Sequence, residues 1–226
     1  MKPFRAAAMC SRADPRQVMS HVGLLGKTRN LRPLAVIVLV CAVAAACSGK
    51  PPEKGADYIA QIAGERAEKD AQFQRSSDPI PDAKKAEFLP LAYFPIDPEY
   101  SVPAALKPTD DDTIVEMPTS TGTLRKMRRA GTLEFVLKDQ PLKLTAFVEP
   151  GATNLFVPFS DLTSGTETYA AGRYMDLTPN ATKVYIVDFN RAYIPYCYYN
   201  LRYDCPYPPA ENRLKIPIRA GERMKK

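Results

Sequence analysis

The chain has a single histidine, His21, close to its start. Everything after it lacks the residue. That absence removes Ser-His-Asp and Cys-His activation of a nucleophile, HExxH zinc sites and a histidine general base. Any chemistry left falls to Asp, Glu, Lys, Tyr, Arg or a hydroxyl. Glycine is sparse, 11 in 226 residues, and forms no phosphate-cradling loop. There is no internal repeat. The uncharged apolar run at 34–46, "LAVIVLVCAVAAA", is 13 residues long. A spanning helix needs about 20, so a permanent membrane span is the weaker reading.

That run belongs to a different pattern. Lys27, Arg29 and Arg32 precede it and small residues Ala44 to Ala46 close it, as in a secretory signal. The following "AAACSGK" resembles a bacterial lipoprotein box, in which the cysteine is diacylated and becomes the mature N-terminus. Ala44 stands where the box usually has leucine. The other reading is plain cleavage after Ala46 with Cys47 left free. Residues 1–18 add little to a signal, and Met19 would make a normal start. The expected organisation is a signal peptide over 1–46, lipidated Cys47 with a polar, Pro-rich tether to 55, and one domain over 56–226. The expected location is the bacterial cell envelope. There the chain would be lipid-anchored to a membrane and face the periplasm or exterior.

Charge divides at the same place. The whole chain carries 31 Lys+Arg and 25 Asp+Glu, a formal +6. Seven of the basic residues and one acid lie at or before Cys47, which leaves 24 of each sign and a net charge of zero. Nucleic acid is therefore not an expected partner. Of five cysteines, only Cys197 and Cys205 lie beyond Cys47. In an oxidising compartment they read as a structural disulfide, worth about 2–3 kcal/mol for so short a loop. A redox pair or two metal ligands are the rival readings. The spacing is not CxxC and no histidine completes a zinc set, so neither metal nor cofactor is expected.

Residues 56–75 carry helical spacing, with Tyr58, Ile59, Ile62, Ala63, Arg66 and Phe73 as the stripe and Asp57 as a cap. A second short helix is expected after Pro81, capped by Asp82. From Tyr93 the chain reads as short strands. They are "TIVEMPT" (113–119), "TLRKMRRAG" (123–131), "TLEFVLK" (132–138), "LKLTAFVE" (142–149), "LFVPF" (155–159), "RYMDL" (173–177) and "KVYIVDF" (183–189). Turns are expected at Ser120–Gly122 and Asp139–Pro141. This spacing predicts a mainly β fold: a single antiparallel β-sandwich or roll with an N-terminal helix packed on it.

Several blocks are also familiar as words: "YFPIDPEYSVPAAL" (93–106), "MPTSTGTLRKMRRAGTLEF" (117–135), "LFVPFSDLTSGTETYAAGRYMDL" (155–177), "DFNRAYIPYCYYN" (188–200) and "CPYPPAENRLKIPIRAGER" (205–223). Over residues 58–223 the chain resembles the bacterial domain-of-unknown-function family sixteen eighty-four. The resemblance implies a secreted or lipid-anchored β-rich protein and supplies no activity. Ile194 departs from the asparagine expected before Pro-Tyr-Cys.

Polar residues gather in "SDLTSGTETY", "DFNRAY" and "ENRL". Loops on a rigid scaffold carry function. Arg173, Asn190, Arg191, Tyr193, Asn212 and Arg213 are therefore the candidate ligand-binding residues, for a small anion clamped by arginine or a glycan stacked on tyrosine. Glu167, Asp188 and Glu211 are the candidates for the alternative, a paired-carboxylate hydrolase. The competing reading is an architectural network of Arg–carboxylate pairs and Asn-capped turns.

Overall fold

The computed structural model describes residues 54–109, 113–178 and 181–225. The expected signal peptide and Cys47 lie outside them. No helix among the described residues is long and apolar enough to cross a membrane.

Helix α1 (Lys54–Arg75) comes first. Its inward stripe is Tyr58, Ile62, Arg66, Lys69 and Phe73, stepping by four or three residues, with Ile62 and Phe73 buried. Ile59 and Ala63, expected on that stripe, are exposed, and Asp57 sits inside the first turn instead of capping it. After Pro81 the chain makes a 3-10 turn (Asp82–Lys84) and the one-turn helix α2 (Lys85–Phe88). Pro81, not Asp82, occupies the cap position.

Seven strands follow: β1 (Ser101–Pro108), β2 (Ile114–Pro118), β3 (Leu124–Leu137), β4 (Gln140–Val148), β5 (Leu155–Phe159), β6 (Arg173–Leu177) and β7 (Val184–Asp188). All pairings between them are antiparallel, in the order β6-β5-β4-β3-β1-β7, with β2 also on β3. The result is one curled half-barrel with a helix N-terminal to it.

Two expected segments, 123–131 and 132–138, are a single strand. The 14 residues of β3 bend at a bulge between Arg129 and Gly131. One half pairs β2 and the other pairs β1. Gly131 permits the bend, because a Cβ there would lie 2.3 Å from the Lys107 carbonyl oxygen. The β3–β4 turn is Lys138-Asp139, both with positive φ (49° and 61°), as a two-residue hairpin of primed type requires. Gln140 and Pro141 already belong to β4.

The inner face of the curl holds the main core. Leu133, Leu137, Leu144, Val157, Phe159, Val187 and Phe189 are fully enclosed, and Leu214, Ile218 and Ala220 from the C-terminal segment close it. A second cluster joins α1 to the tyrosine-rich excursion that follows β7 (residues 192–207) through Phe73, Ile80, Leu91, Ile194 and Tyr199. Ile194 thus has a physical reason to be apolar.

Candidate functional site

The polar residues singled out above do not converge. Arg173 is wholly buried at the start of β6. Its guanidinium donates to the carbonyls of Ala220, Ile218 and Glu222 and to Asp161 Oδ2 at 2.9 Å. Burial draws its pKa down, and Asp161 opposes that shift. Asp188, at the end of β7, accepts from the Tyr58 hydroxyl at 2.8 Å and pairs with Arg191. Arg191 also clasps Glu65 through two N–H···O bonds of 2.9 and 2.8 Å. Asn190 receives the Asp97 amide on Oδ1 and donates Nδ2 to the Asp97 carbonyl. Asn212, fully buried, accepts from Thr145 N–H and donates to the Thr145 and Pro158 carbonyls, so it ties β4 to β5. Arg213 is exposed and contributes its backbone beside Ser160.

The three candidate carboxylates are held apart. Glu167 pairs with Arg219 at 2.9 Å, Asp188 with Arg191, and Glu211 with Arg129 at 2.8 Å. Each has its own arginine, which is the arrangement of a structural network and not of a shared acid–base pair.

One of the expected residues, Tyr193, opens onto something else. A cavity of about 380 Å³ is lined by Tyr174, Tyr193, Tyr196 and Tyr203, with Phe156 and Met127 among its apolar surfaces and Arg125, Glu149, Asp176 and Asp204 among its polar ones. Four parts of the chain build it, one of them the stretch from Glu149 into β5 with Asn154 and Phe156. Strand β6 supplies Tyr174 and Asp176 two residues apart, so both point to the same face. The outward face of β3 supplies Arg125 and Met127 by the same rule. The excursion supplies Tyr193, Tyr196 and residues 203–206. That excursion is fastened to the β2–β3 turn: Ser120 N–H donates to the Cys205 carbonyl at 2.9 Å, and Cys205 N–H donates to Ser120 Oγ at 3.0 Å. Tyr174 and Tyr193 stand at 89° and Tyr196 and Tyr203 at 77°, so the rings wrap the space instead of forming one flat platform.

The charge around it is negative. Arg125 is occupied, donating to Glu149 at 3.3 Å and to the Asp204 carbonyl at 2.6 Å and carboxylate at 3.2 Å. Hydrogen bonds from the threonines of the β2–β3 turn, first among them Thr119 and Thr121, and from Arg125 hold the Asp204 carboxyl down at about 2. Asp176, exposed at the rim, has no ion-pair partner among the described residues; it accepts from the Tyr193 hydroxyl at 2.7 Å. Burial and Asp176 both push the Tyr193 phenol up, so it stays a donor. Among the described residues no His/Cys/Asp/Glu group has the makings of a metal site.

Cys197 and Cys205 are not bridged as the sequence suggested. They stand as two free, buried thiols, with the Cys197 amide donating to Cys205 Sγ at 3.2 Å. Of the cavity residues, sequence reading found only Tyr193 and Cys205. Arg125, Glu149 and Asp176 look like ordinary outward strand-end residues, and only the density of tyrosine from 193 to 207 pointed here.

Comparison with known proteins agrees with the fold and adds no activity. Residues 86–223 match the family described as protein of unknown function (DUF1684). The solution NMR structure of an uncharacterized protein of Haloarcula marismortui is 35% identical, with a TM-score of 0.61 over 76% of this chain and 97% of that one. Among curated proteins there is no match. The matched residues run from α2 through every strand to the C-terminal segment, and with them the chain belongs to the DUF1684 family.

Proposed function

We propose that this protein is a lipid-anchored component of the bacterial cell envelope that binds a small saccharide in the tyrosine-walled cavity. The cavity itself is the observation that carries this reading. A pocket with an aromatic wall and a few polar groups at its rim is the usual form of a small-ligand site. Sugar rings offer C–H faces to aromatic rings and hydroxyls to planar polar groups, here Asn154, Asp176 and Asp204. Between an anion and a saccharide, charge favours the saccharide. Arg173 and Arg191 are tied to carboxylates and carbonyls, Arg213 lies elsewhere, and a carboxylate or phosphate in this cavity would meet like charge.

Thermal-shift and calorimetric measurements on envelope saccharides test the binding. A ligand that raises the melting temperature and binds about tenfold more weakly to Tyr203→Ala is the expected result, equivalent to about 1.4 kcal/mol. No binding by any neutral or amino saccharide would sink the reading. The anchor has a separate test. A palmitate analogue fed to cells should label the wild type and leave Cys47→Ala unlabelled; equal labelling of both ends the lipoprotein reading.

A further inference from the structure

One of the two thiols, that of Cys205, lies against the cavity, and Cys197 sits behind it with its amide on the Cys205 sulfur. Each is joined in sequence to a piece of the cavity wall: Tyr196 precedes Cys197, while Tyr203 and Asp204 precede Cys205 and Pro206 follows it. Cys205 itself lines the space. The 203–206 piece is gripped from the sheet side by Arg125 and Ser120. Toward the 196–197 piece it has the Tyr196–Tyr203 ring contact at 5.3 Å and the N–H···S bond of 3.2 Å. Both are weak contacts.

We infer that Cys197 and Cys205 form a reversible dithiol–disulfide couple whose bridged state ties the two halves of the cavity wall together and so sets ligand affinity. The affinity half rests on the cavity being the ligand site proposed above. The local chemistry suits such a couple. The Cys205 thiol, followed by Ser120 and Tyr169, draws Cys197 down, and Cys205 is in turn pushed up. The pair therefore gives up one proton readily and holds the second.

The oxidant is a small disulfide of the glutathione class entering through the cavity. The pair's thiolate attacks one of its sulfurs, and the S–S bond breaks to release one thiolate and leave a mixed disulfide on the protein. The second cysteine then loses its proton, attacks the protein-side sulfur and expels the other thiolate. Two electrons pass from the protein to the oxidant, which leaves as two thiols carrying both protons. By linkage, a ligand that favours the bridged form must make the bridge harder to reduce by the same factor.

The test uses the full-length protein equilibrated in glutathione buffers from reducing to oxidising. Alkylation and mass measurement give the bridged fraction, and amide exchange is read on the same samples. The expected result is one reversible two-electron transition, with exchange across 198–205 roughly tenfold slower in the bridged form and β3–β4 unchanged. In Cys197→Ser, exchange there should not depend on the buffer. Thiols that remain reduced at the oxidising end, or a bridge that forms without slowing exchange, overturn the couple. A saccharide binding both states equally overturns the link to affinity and leaves the saccharide reading standing. A panel that binds neither state removes the saccharide reading and the affinity half together, and exchange alone then decides the couple.

Discussion

At the scale of the residue, Arg173 sets the clearest lesson. A fully buried guanidinium is tolerated only when most of its donors are matched, and four acceptors surround its two terminal nitrogens while Nε alone finds none among the described residues. The planar fork is what fits three carbonyls and a carboxylate at once, so lysine is not an equivalent. Arg173→Lys should lower stability by about 3 kcal/mol or more in urea unfolding, with Asp161 left buried and poorly matched. A loss under about 1 kcal/mol would mean the carbonyls rehydrate. Asp204 gives a pH prediction. Its pKa is held at about 2 in the fold, below the usual 3.8. A depressed carboxylate stabilises the fold above its unfolded value and stops doing so as pH falls through its folded one. Asp204→Asn should therefore flatten the decline in melting temperature between about pH 4 and pH 2. An unchanged acid slope would mean that the turn hydroxyls and Arg125 do not prefer the ionised form.

At the scale of the element, helix α1 is held by few apolar anchors and many polar ones. Most of a helix's stability in a protein comes from packing of its inward face and little from propensity, so docking must supply that of α1. Ile62 and Phe73 provide buried area, and Tyr58, Arg66 and Lys69 reach Asp188, the Phe94 and Asn190 carbonyls, and Glu222. Ile62→Ala should cost about 2–4 kcal/mol by calorimetry. If α1 were only laid against the sheet, the loss would be a few tenths. The helix was legible because its spacing is 3.6-like, and most strands were legible because they alternate. Strand β1 escaped notice, since Pro103 and Pro108 argue against a strand lying between two neighbours. The unity of β3 was hidden as well. Alternation breaks at Ala130-Gly131, and a bulge looks in sequence like a boundary.

At the scale of the whole molecule, the C-terminal segment is what the sequence concealed most. Residues 213–225 have no period of two or 3.6, because their partners are far away in the chain. Ile218 and Ala220 enter the main core, and the carbonyls of 218, 220 and 222 hold Arg173. The Gly221 carbonyl accepts from the Phe94 amide, and only glycine suits the position: its φ is +77°, and a Cβ would strike the Phe189 and Ala192 carbonyls at 2.6 and 2.5 Å. Glu222 is nearly inaccessible (2%), yet it binds α1 through Lys69 and the excursion through the Ile194 amide and the Tyr199 hydroxyl. The same physics explains why the candidate site was only half legible. Its polar words, Asn190, Arg191 and Asn212, encode ties between distant segments, and such ties use the same residue types as a binding site. One carboxylate therefore joins the helix, the excursion and the tail that closes the sheet. Glu222→Gln keeps the shape and removes the charge, which leaves Lys69 without its counter-ion. It should lower stability by about 2–3 kcal/mol and speed amide exchange in α1 and 192–199 together. If exchange quickened only in the tail, the three parts would be independently stable and Glu222 would be a local cap rather than their common tie.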